Sequence, residues 1–217
     1  MSALPSRIAV LGGTGFVGRS VCERLVRASG GGGSTTIVVP TRRPMHANAV
    51  RLLPGLEVRV TDVHDDAALA RVLSGCDALV NLIAILHGSA REFEQVHAVL
   101  PQRLARACRA VGLKRVVHVS ALGVAVDAPS NYLRSKAAGE AALSAAGLDL
   151  TILRPSVIFG ADDRFLNLFA ELQTLFPLMP LAGRYARFQP VWVEDVAEAI
   201  VRCLQRPETI GQTIECA

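Results

Sequence analysis

Three side chains near the middle of the sequence could together move a proton. Tyr132 and Lys136 lie four residues apart in Y-L-R-S-K, which places both on one face of a predicted helix. A neighbouring ammonium favours the phenolate and lowers the pKa of a tyrosine, which is near ~10 in a free side chain. Ser120 ends a predicted strand, where its hydroxyl could hydrogen-bond the reacting oxygen. These residue types indicate proton transfer at an alcohol or carbonyl while hydride passes to or from a cofactor.

The same residues also have a purely structural interpretation. The spacing Y-x-x-x-K is common by chance, and Ser120 could simply end a turn. The order along the chain favours chemistry, because a glycine-rich turn comes first, a serine at a strand end follows, and the tyrosine–lysine pair begins the next helix.

A glycine-rich turn near the start of the chain provides the expected cofactor site. An apolar run over 8–11 predicts a buried strand, glycines follow with the spacing G-x-x-G-x-x-G, and a helical pattern begins at once. This arrangement lets a dinucleotide pyrophosphate approach bare backbone N–H groups at a helix N-terminus. A lone motif could equally be a turn that binds nothing, but its place at the start of an alternating chain favours binding. The predicted contacts in this turn are Gly12, Thr14, Gly15, Phe16, Val17 and Gly18.

The end of the second predicted strand indicates which dinucleotide binds. An acidic residue there suits the ribose hydroxyl of NAD, whereas arginine suits the 2′-phosphate of NADP. The sequence has Thr41-Arg42-Arg43 and no carboxylate, so NADP(H) is preferred, with NAD(H) as the alternative. The competing interpretation is that both arginines are simply solvated and bind no phosphate. Asp62, followed by Val63, ends the third strand and is predicted to contact the adenine edge or else to cap a helix.

Apolar strands alternate with helical patterns along most of the chain. Six β–α alternations indicate an α/β fold with a doubly wound parallel sheet. The strands are predicted at 8–11, 36–40, 56–60, 78–86, 115–119 and 150–153. The helices between them include a short one ending at Leu53 and longer ones at 65–73, 93–111 and 131–146. Beyond these we predict an apolar helix at 162–176, a strand at 188–193, a helix at 194–204 and a strand at 213–215.

Composition and charge exclude several classes of protein. Hydrophobic residues make up 51% and charged residues 19% of the 217 residues, which excludes a disordered chain. The apolar stretch 78–86 is far shorter than the ~18 residues of a membrane span, and the N-terminus lacks a secretory pattern. The net charge of +4 comes from scattered arginines rather than the clustered basic face of a nucleic-acid-binding protein. The five cysteines show no metal-binding spacing and fit a reducing, cytoplasmic compartment, with peripheral membrane association as the alternative.

Several segments together carry a resemblance to a known family. They are VLGGTGFVG, NLIAIL, FEQVHAVLPQRLARACRAVGLKRVVHVSALG, YLRSKAAGE, ILRPSVIFGADDRFLN and FQPVWVEDVAEAI. Through them the chain resembles an atypical member of the extended short-chain dehydrogenase/reductase superfamily. More narrowly, it is similar to the group around the nucleotide-binding accessory subunit of respiratory complex I.

The resemblance implies a division of the chain and a set of site residues. It implies a Rossmann domain at 1–158 that binds NADP(H) or NAD(H), and a partial C-terminal lobe at 159–217 that returns to the core and is not an independent domain. It also implies a catalytic triad of Ser120, Tyr132 and Lys136, with Lys136 contacting the cofactor as well. The further cofactor contacts that it implies are Asn81, Ala84, Pro155 and Val157.

Two departures from the superfamily bear on function. Enzymatic extended members carry an asparagine where this chain has His97, whereas a histidine is familiar in the complex I group. His97 is therefore either a proton relay or a satisfied, half-buried side chain. The chain stops at Ala217, where relatives continue through a substrate-binding lobe, so we expect a truncated form or a minimal, open pocket.

Three functions fit these observations. The first is an NADP(H)-dependent oxidoreductase or epimerase-type enzyme acting on an unidentified small molecule. The second is a non-catalytic accessory or assembly subunit of a respiratory NADH:quinone oxidoreductase-like complex, with the nucleotide as a folding ligand and another protein as its partner. A sensor of cofactor redox state is the third, and a homodimer is a further possibility for the assembly.

Overall fold

A parallel β-sheet forms the centre of the protein. The computed structural model describes residues 3–31, 33–163 and 188–217. Its strands are β1 (Arg7–Leu11), β2 (Thr36–Thr41), β3 (Leu56–Val60), β4 (Ala78–Asn81), β5 (Arg115–Val119), β6 (Asp149–Pro155), β7 (Ile158–Phe159), β8 (Val191–Trp192) and β9 (Thr213–Cys216). Seven of them form one sheet in the order β3-β2-β1-β4-β5-β6-β9, and β7 pairs with β8 separately. All these pairings are parallel, which confirms the predicted doubly wound sheet.

Helices cover both faces of this sheet. They are α1 (Phe16–Ala28), α2 (Asp66–Leu73), α3 (Ala90–Glu94), α4 (Leu100–Val111), α5 (Asn131–Ser144) and α6 (Val193–Gln205). Side chains of α1 and α6 share one core cluster, and those of α2, α4 and α5 share the other. The helix α6 and the strand β9 belong to the predicted C-terminal lobe, and they pack on α1 and pair with β6. The division of the chain at residue 158 stays a prediction.

The apolar run of β1 shows why the sheet is covered twice. Ile8 and Val10 pack into the core with α1, whereas Ala9 and Leu11 pack into the opposite core. Successive side chains of a strand point to opposite faces, so a strand that is apolar at every position needs helices on both sides. The predicted periodicity and the observed packing therefore agree.

The predicted helix at 93–111 is interrupted by a π-helical turn at Gln95–Val99. Pro101 lacks a backbone N–H and cannot donate to the carbonyl of His97, four residues earlier, so the α-helical ladder is broken there. Gly139 of α5 packs against that carbonyl, since a Cβ atom at position 139 would lie 2.0 Å from the His97 oxygen. The proline and the glycine together bring α5 close to this turn.

Several other predicted elements are shorter than expected. The strand predicted at 78–86 ends at Asn81, because the Asn81 side-chain oxygen accepts a hydrogen bond from the Ile83 N–H at 3.3 Å and turns the chain. The helix predicted to end at Leu53 is a single 3-10 turn, Pro44–Ala47. The strand predicted at 188–193 is limited to β8. The helix predicted at 162–176 lies outside the described residues beyond Asp163.

Across the described parts of the chain, we find no helix that combines the length and the apolar character needed to cross a membrane.

Candidate functional site

The glycine turn between β1 and α1 forms an anion-binding backbone. Gly12 has a φ of +83°, which favours glycine, and its carbonyl accepts a hydrogen bond from the Gly15 N–H at 2.9 Å. A Cβ atom at position 18 would lie 2.1 Å from the Gly12 oxygen, so only glycine lets α1 start this close to the turn. No side chain caps α1 at its N-cap, Gly15, and its first turn has no acidic residue. The first N–H groups of α1 therefore suit a pyrophosphate.

A cavity of about 320 Å³ lies between this turn and the carboxyl ends of β4, β5 and β6. The structure brings ten of the predicted site residues to its walls. From the first strand, the glycine turn and the loop after β4 they are Gly12, Gly15, Phe16, Val17, Gly18 and Ala84. From β5, α5 and β6 they are Ser120, Tyr132, Lys136 and Pro155. The sequence analysis missed six further wall residues, which come from strand ends and loops that only the sheet order brings together: Leu82, Leu86, Val119, Ala121, Ile158 and Asp163. Ser156 also lines the wall and lies between the predicted contacts Pro155 and Val157.

Lys136 is almost completely buried beside the cavity, with 2% of its surface exposed. Its Nζ donates a hydrogen bond to the Val119 carbonyl at the end of β5, at 3.0 Å. Burial lowers the pKa of Lys136 to about 8, and the Glu140 carboxylate one turn along α5 acts in the opposite direction. Glu140 itself pairs with Arg154 of β6 through two contacts of 3.0 and 2.6 Å. The ammonium is thus held in place and remains able to exchange a proton near neutral pH.

Tyr132 occupies the first turn of α5, which is capped by the hydroxyl of Ser130. Its ring contacts the rings of His97 and Phe93 edge-on, with centroids 5.2 and 5.9 Å apart. Burial raises the pKa of Tyr132 above its ordinary value. The lowered pKa of Tyr132 expected from the neighbouring Lys136 ammonium is therefore not a property of the protein alone, and it stays a prediction for the protein with its cofactor bound.

The Ser120 hydroxyl is a buried polar group without a partner among the described residues. Its backbone is fixed, because the Ser120 N–H donates to the Leu153 carbonyl of β6 at 2.7 Å. A buried hydroxyl that makes no hydrogen bond is costly, so its presence on a cavity wall points to a ligand oxygen or a water. The hydrogen bond from Ser120 to a reacting oxygen stays a prediction.

His97 is a fully buried side chain whose two ring nitrogens are both hydrogen-bonded. Nε2 accepts from the Ile85 N–H at 3.1 Å, so the ring proton is on Nδ1 and is donated to the Ser135 hydroxyl at 3.0 Å. Burial, with Lys136 adding a smaller effect, lowers the pKa of His97 to about 4. The sequence allows His97 to be either a proton relay or a side chain with all its hydrogen bonds made inside the protein. This geometry favours the second interpretation.

Asn81 and Val157 are predicted cofactor contacts that do not line the cavity. The Asn81 amide donates to Nδ1 of the buried His118 at 3.1 Å, and its oxygen accepts from the Ile83 N–H. Asn81 therefore shapes the loop that carries Ala84, instead of reaching the cavity wall. Val157 lies between two wall residues, and its carbonyl accepts from the Val191 N–H at 3.0 Å.

Arg42 and Arg43, which are predicted to bind the adenosine end of the cofactor, lie on an adjoining cavity of about 330 Å³, which shares Gly12 with the first. Thr14, Arg42, Arg43 and Val63 line it. Both arginines are exposed, so their guanidinium groups are accessible to a phosphate. The sequence analysis missed His46, which lines this cavity beside them.

Asp62 does not line either of these cavities. Its carboxylate accepts from the His64 N–H at 3.0 Å, and the N-cap of α2 is Asp65, whose carboxylate accepts from the Ala68 N–H. The helix-capping role considered for Asp62 therefore belongs to Asp65. A contact between Asp62 and the adenine edge stays a prediction.

Comparison with known proteins decides the family. A family model described as NAD(P)H-binding matches residues 12–207. The chain belongs to this NAD(P)H-binding family. The predicted resemblance to the extended short-chain dehydrogenase/reductase superfamily and to the complex I accessory subunit is confirmed by the relatives and solved structures that share its sequence and fold.

Two curated relatives of this NAD(P)H-binding protein differ in their described roles. NADH dehydrogenase (ubiquinone) 1 alpha subcomplex subunit 9 of Mus musculus is 33% identical over 211 residues, covering 94% of this chain and 54% of the relative. The ceramide reductase of Caulobacter vibrioides is 33% identical over 204 residues, covering 92% of this chain and 61% of the relative. The chain thus spans little more than half the length of the curated relatives it matches.

Solved structures share the same fold. The dTDP-glucose 4,6-dehydratase of Streptomyces venezuelae, as a double mutant with NAD bound, is 25% identical with a TM-score of 0.81, covering 96% of this chain and 74% of that one. The UDP-glucuronic acid 4-epimerase of Bacillus cereus has a TM-score of 0.82 at 19% identity, covering 97% and 77%. At 19% identity, the similarity to the epimerase concerns the fold alone.

Proposed function

We propose that this NAD(P)H-binding protein is an NADP(H)-dependent oxidoreductase that interconverts a carbonyl and an alcohol, with an epimerase-type reaction as the related alternative. The observation that carries the proposal is that Ser120, Tyr132 and Lys136 line the same cavity as the glycine turn. A reductase among the relatives and a dehydratase among the structural neighbours support a redox role.

The glycine turn and the cavities fit a dinucleotide, because the absence of a Cβ atom at Gly18 lets α1 start directly against the turn and the first N–H groups of α1 are uncapped. Bound NADPH would supply a hydride. In the reducing direction, the Tyr132 hydroxyl donates its proton to the carbonyl oxygen, while the Ser120 hydroxyl donates a hydrogen bond to the same oxygen. Lys136, held by Val119, stabilises the resulting phenolate and can return a proton to it.

The preference for NADP(H) over NAD(H) is part of the proposal. Arg42 and Arg43 line the adenosine cavity, and none of its described wall residues carries a carboxylate. A guanidinium can bind the 2′-phosphate through two hydrogen bonds, whereas an NAD site needs an acceptor for the ribose hydroxyl.

A second function rests on the similarity to the complex I accessory subunit, which is 33% identical over 94% of this chain. In that function the dinucleotide stabilises the fold without turnover, and the protein docks on a partner in or near a membrane. The neutral, fully bonded state of His97 suits a structural role equally well. A cytoplasmic location is proposed for both functions.

The test is the Tyr132→Phe variant, assayed for NADPH oxidation with a panel of carbonyl compounds. We expect turnover to fall by about 10²–10⁴-fold, because the variant lacks the proton donor. The NADPH dissociation constant is expected to stay within a few fold of that of the parent. Unchanged turnover in the variant contradicts the assigned role of Tyr132. Tight NADPH binding with no turnover of any compound by the parent favours the accessory-subunit function.

A further inference from the structure

The catalytic cavity has mainly apolar walls. Phe16 and Val17 of α1, Leu82 and Leu86 of the loop after β4, and Pro155 and Ile158 near the end of β6 all line it. These side chains can exclude water from an alkyl group, and outside the proposed triad the described walls carry two polar side chains that could bind a hydroxyl, Ser156 and Asp163. The wall chemistry therefore favours an apolar substrate.

The charges around the cavity disfavour a phosphorylated substrate. Among its described wall residues Lys136 is the one cation, and the Lys136 ammonium is buried and donates to the Val119 carbonyl. Asp163 adds a carboxylate, which repels a phosphate. The N–H groups of α1 are assigned to the cofactor pyrophosphate, and the described walls offer no accessible guanidinium or ammonium group for the phosphates of a substrate.

Three exposed apolar side chains lie on segments that follow β4, β5 and β7, and one of them, Leu86, lines the cavity. Leu86, in the loop after β4, lines the cavity and is 65% exposed. Val126, in the loop after β5, is 84% exposed, and Trp192 of β8, which is paired with Phe159, is 49% exposed. We call Leu86, Val126 and Trp192 the apolar rim. Because β4, β5 and β6 are neighbours in the sheet, the loops that follow them leave the same edge.

We propose that the substrate is an unphosphorylated ketone or secondary alcohol on a long alkyl chain. The reacting carbon lies at Ser120 and Tyr132, and the chain leaves the cavity over the apolar rim. A cavity of about 320 Å³ is at the lower limit for a small-molecule site and must also admit the nicotinamide, so most of a long chain extends onto the rim. This inference rests on the proposed oxidoreductase function.

The reaction balances without a further reactant. In reduction, a hydride from NADPH forms the new C–H bond at the carbonyl carbon, and the C=O π electrons accept the Tyr132 proton to form the O–H bond. NADP⁺ and the alcohol leave, and a proton from solvent restores Tyr132 by way of Lys136.

The experiment is a series of methyl ketones from butanone to methyl undecyl ketone, assayed with NADPH and the 217-residue chain. We expect kcat/KM to rise with chain length, by up to about fourfold for each methylene group that becomes buried. Leu86→Ser is expected to flatten this rise. The matched control is Leu52→Ser. Leu52 is 83% exposed and lies in the segment that leads into the start of β3, at the edge of the sheet opposite the cavity.

Trp192 is the single tryptophan of the chain, so its fluorescence reports binding at the rim without turnover. We expect methyl undecyl ketone to change the tryptophan emission of the parent and of Leu52→Ser, and butanone to leave it unchanged. The dissociation constant of methyl undecyl ketone should be at least about tenfold higher for Leu86→Ser than for the parent. Tyr132-dependent turnover that is independent of chain length, or that prefers a nucleotide-sugar, overturns the substrate class and leaves the oxidoreductase function intact. Absence of turnover with every carbonyl overturns the function itself.

Discussion

Nδ1 of His97 lies 3.0 Å from the hydroxyl oxygen of Ser135, and this contact joins two walls of the candidate site. On the other side of the ring, Nε2 accepts from the Ile85 N–H in the loop that carries Ala84. The Ser135 hydroxyl in turn donates to the Tyr132 carbonyl at 2.7 Å. His97 therefore ties the loop after β4 to the helical turn that presents Tyr132.

Removing this imidazole should destabilise the protein. In His97→Ala the Ile85 N–H loses its acceptor and a cavity replaces the ring, so we expect the free energy of unfolding to fall by about 2–4 kcal/mol. Ser135→Ala removes only one of the two contacts and is expected to cost about 1 kcal/mol. Urea unfolding followed by far-UV circular dichroism measures both. Equal midpoints for the two variants and the parent would contradict this role of His97.

The stability of the protein should fall on mild acidification. Burial, with a smaller effect of Lys136, lowers the pKa of His97 to about 4 and that of His118 to about 3. An unfolded chain has histidine pKa values near ~6.5, so between these limits it binds more protons than the folded chain. The stabilising contribution of the neutral His97 imidazole is therefore fully present above pH ~6.5, and it is lost progressively as the pH falls toward 4.

Urea midpoints measured at successive pH values across this window test the dependence. We expect His97→Ala to show a shallower dependence, because one of the two buried imidazoles is gone. His87 is exposed and is the matched control, so His87→Ala should keep the slope of the parent. A parent stability that is constant from neutral pH down to about pH 4 is incompatible with neutral, buried imidazoles.

Gly18→Ala should abolish dinucleotide binding. The new Cβ atom would lie 2.1 Å from the Gly12 oxygen, so the turn or α1 must shift and the N–H groups lose their alignment. We expect NADPH affinity to fall by at least about 100-fold in isothermal titration calorimetry, the equivalent of about 2.8 kcal/mol. Gly33→Ala is the control, because a Cβ atom at position 33 meets no atom within 4 Å. Retained affinity in Gly18→Ala would place the dinucleotide elsewhere.

Arg42→Ala should narrow the preference for NADPH over NADH. The exposed Arg42 guanidinium lines the adenosine cavity, and only NADPH offers it a 2′-phosphate. We expect NADPH to bind about tenfold more weakly and NADH to be nearly unaffected. Arg71 on α2 is exposed and lines neither cofactor cavity, so Arg71→Ala serves as the control. Equal affinities of the parent for the two cofactors would contradict the preference itself.

Much of the fold and part of the site could be predicted from local sequence patterns. The strand at 8–11, the spacing of Gly12, Gly15 and Gly18, and the start of α1 depend on residues that are neighbours in the chain. The pair Tyr132 and Lys136 follows from the same local geometry, since residues four apart share a helix face. The parallel sheet follows as well, because strands that are apolar at every position need cover on both faces.

Only the tertiary structure decided what these side chains contact. Asn81 turns to His118, 37 residues away in sequence, rather than to the cofactor cavity. The π-helical turn at His97 depends on Pro101 and on the close approach of Gly139, and the placement of Lys136 depends on a carbonyl of β5. Sequence spacing determines which residues share a strand, turn or helix face. Contacts between elements depend on how those elements pack, so burial, hydrogen-bond partners and pKa shifts follow only from the assembled sheet and helices.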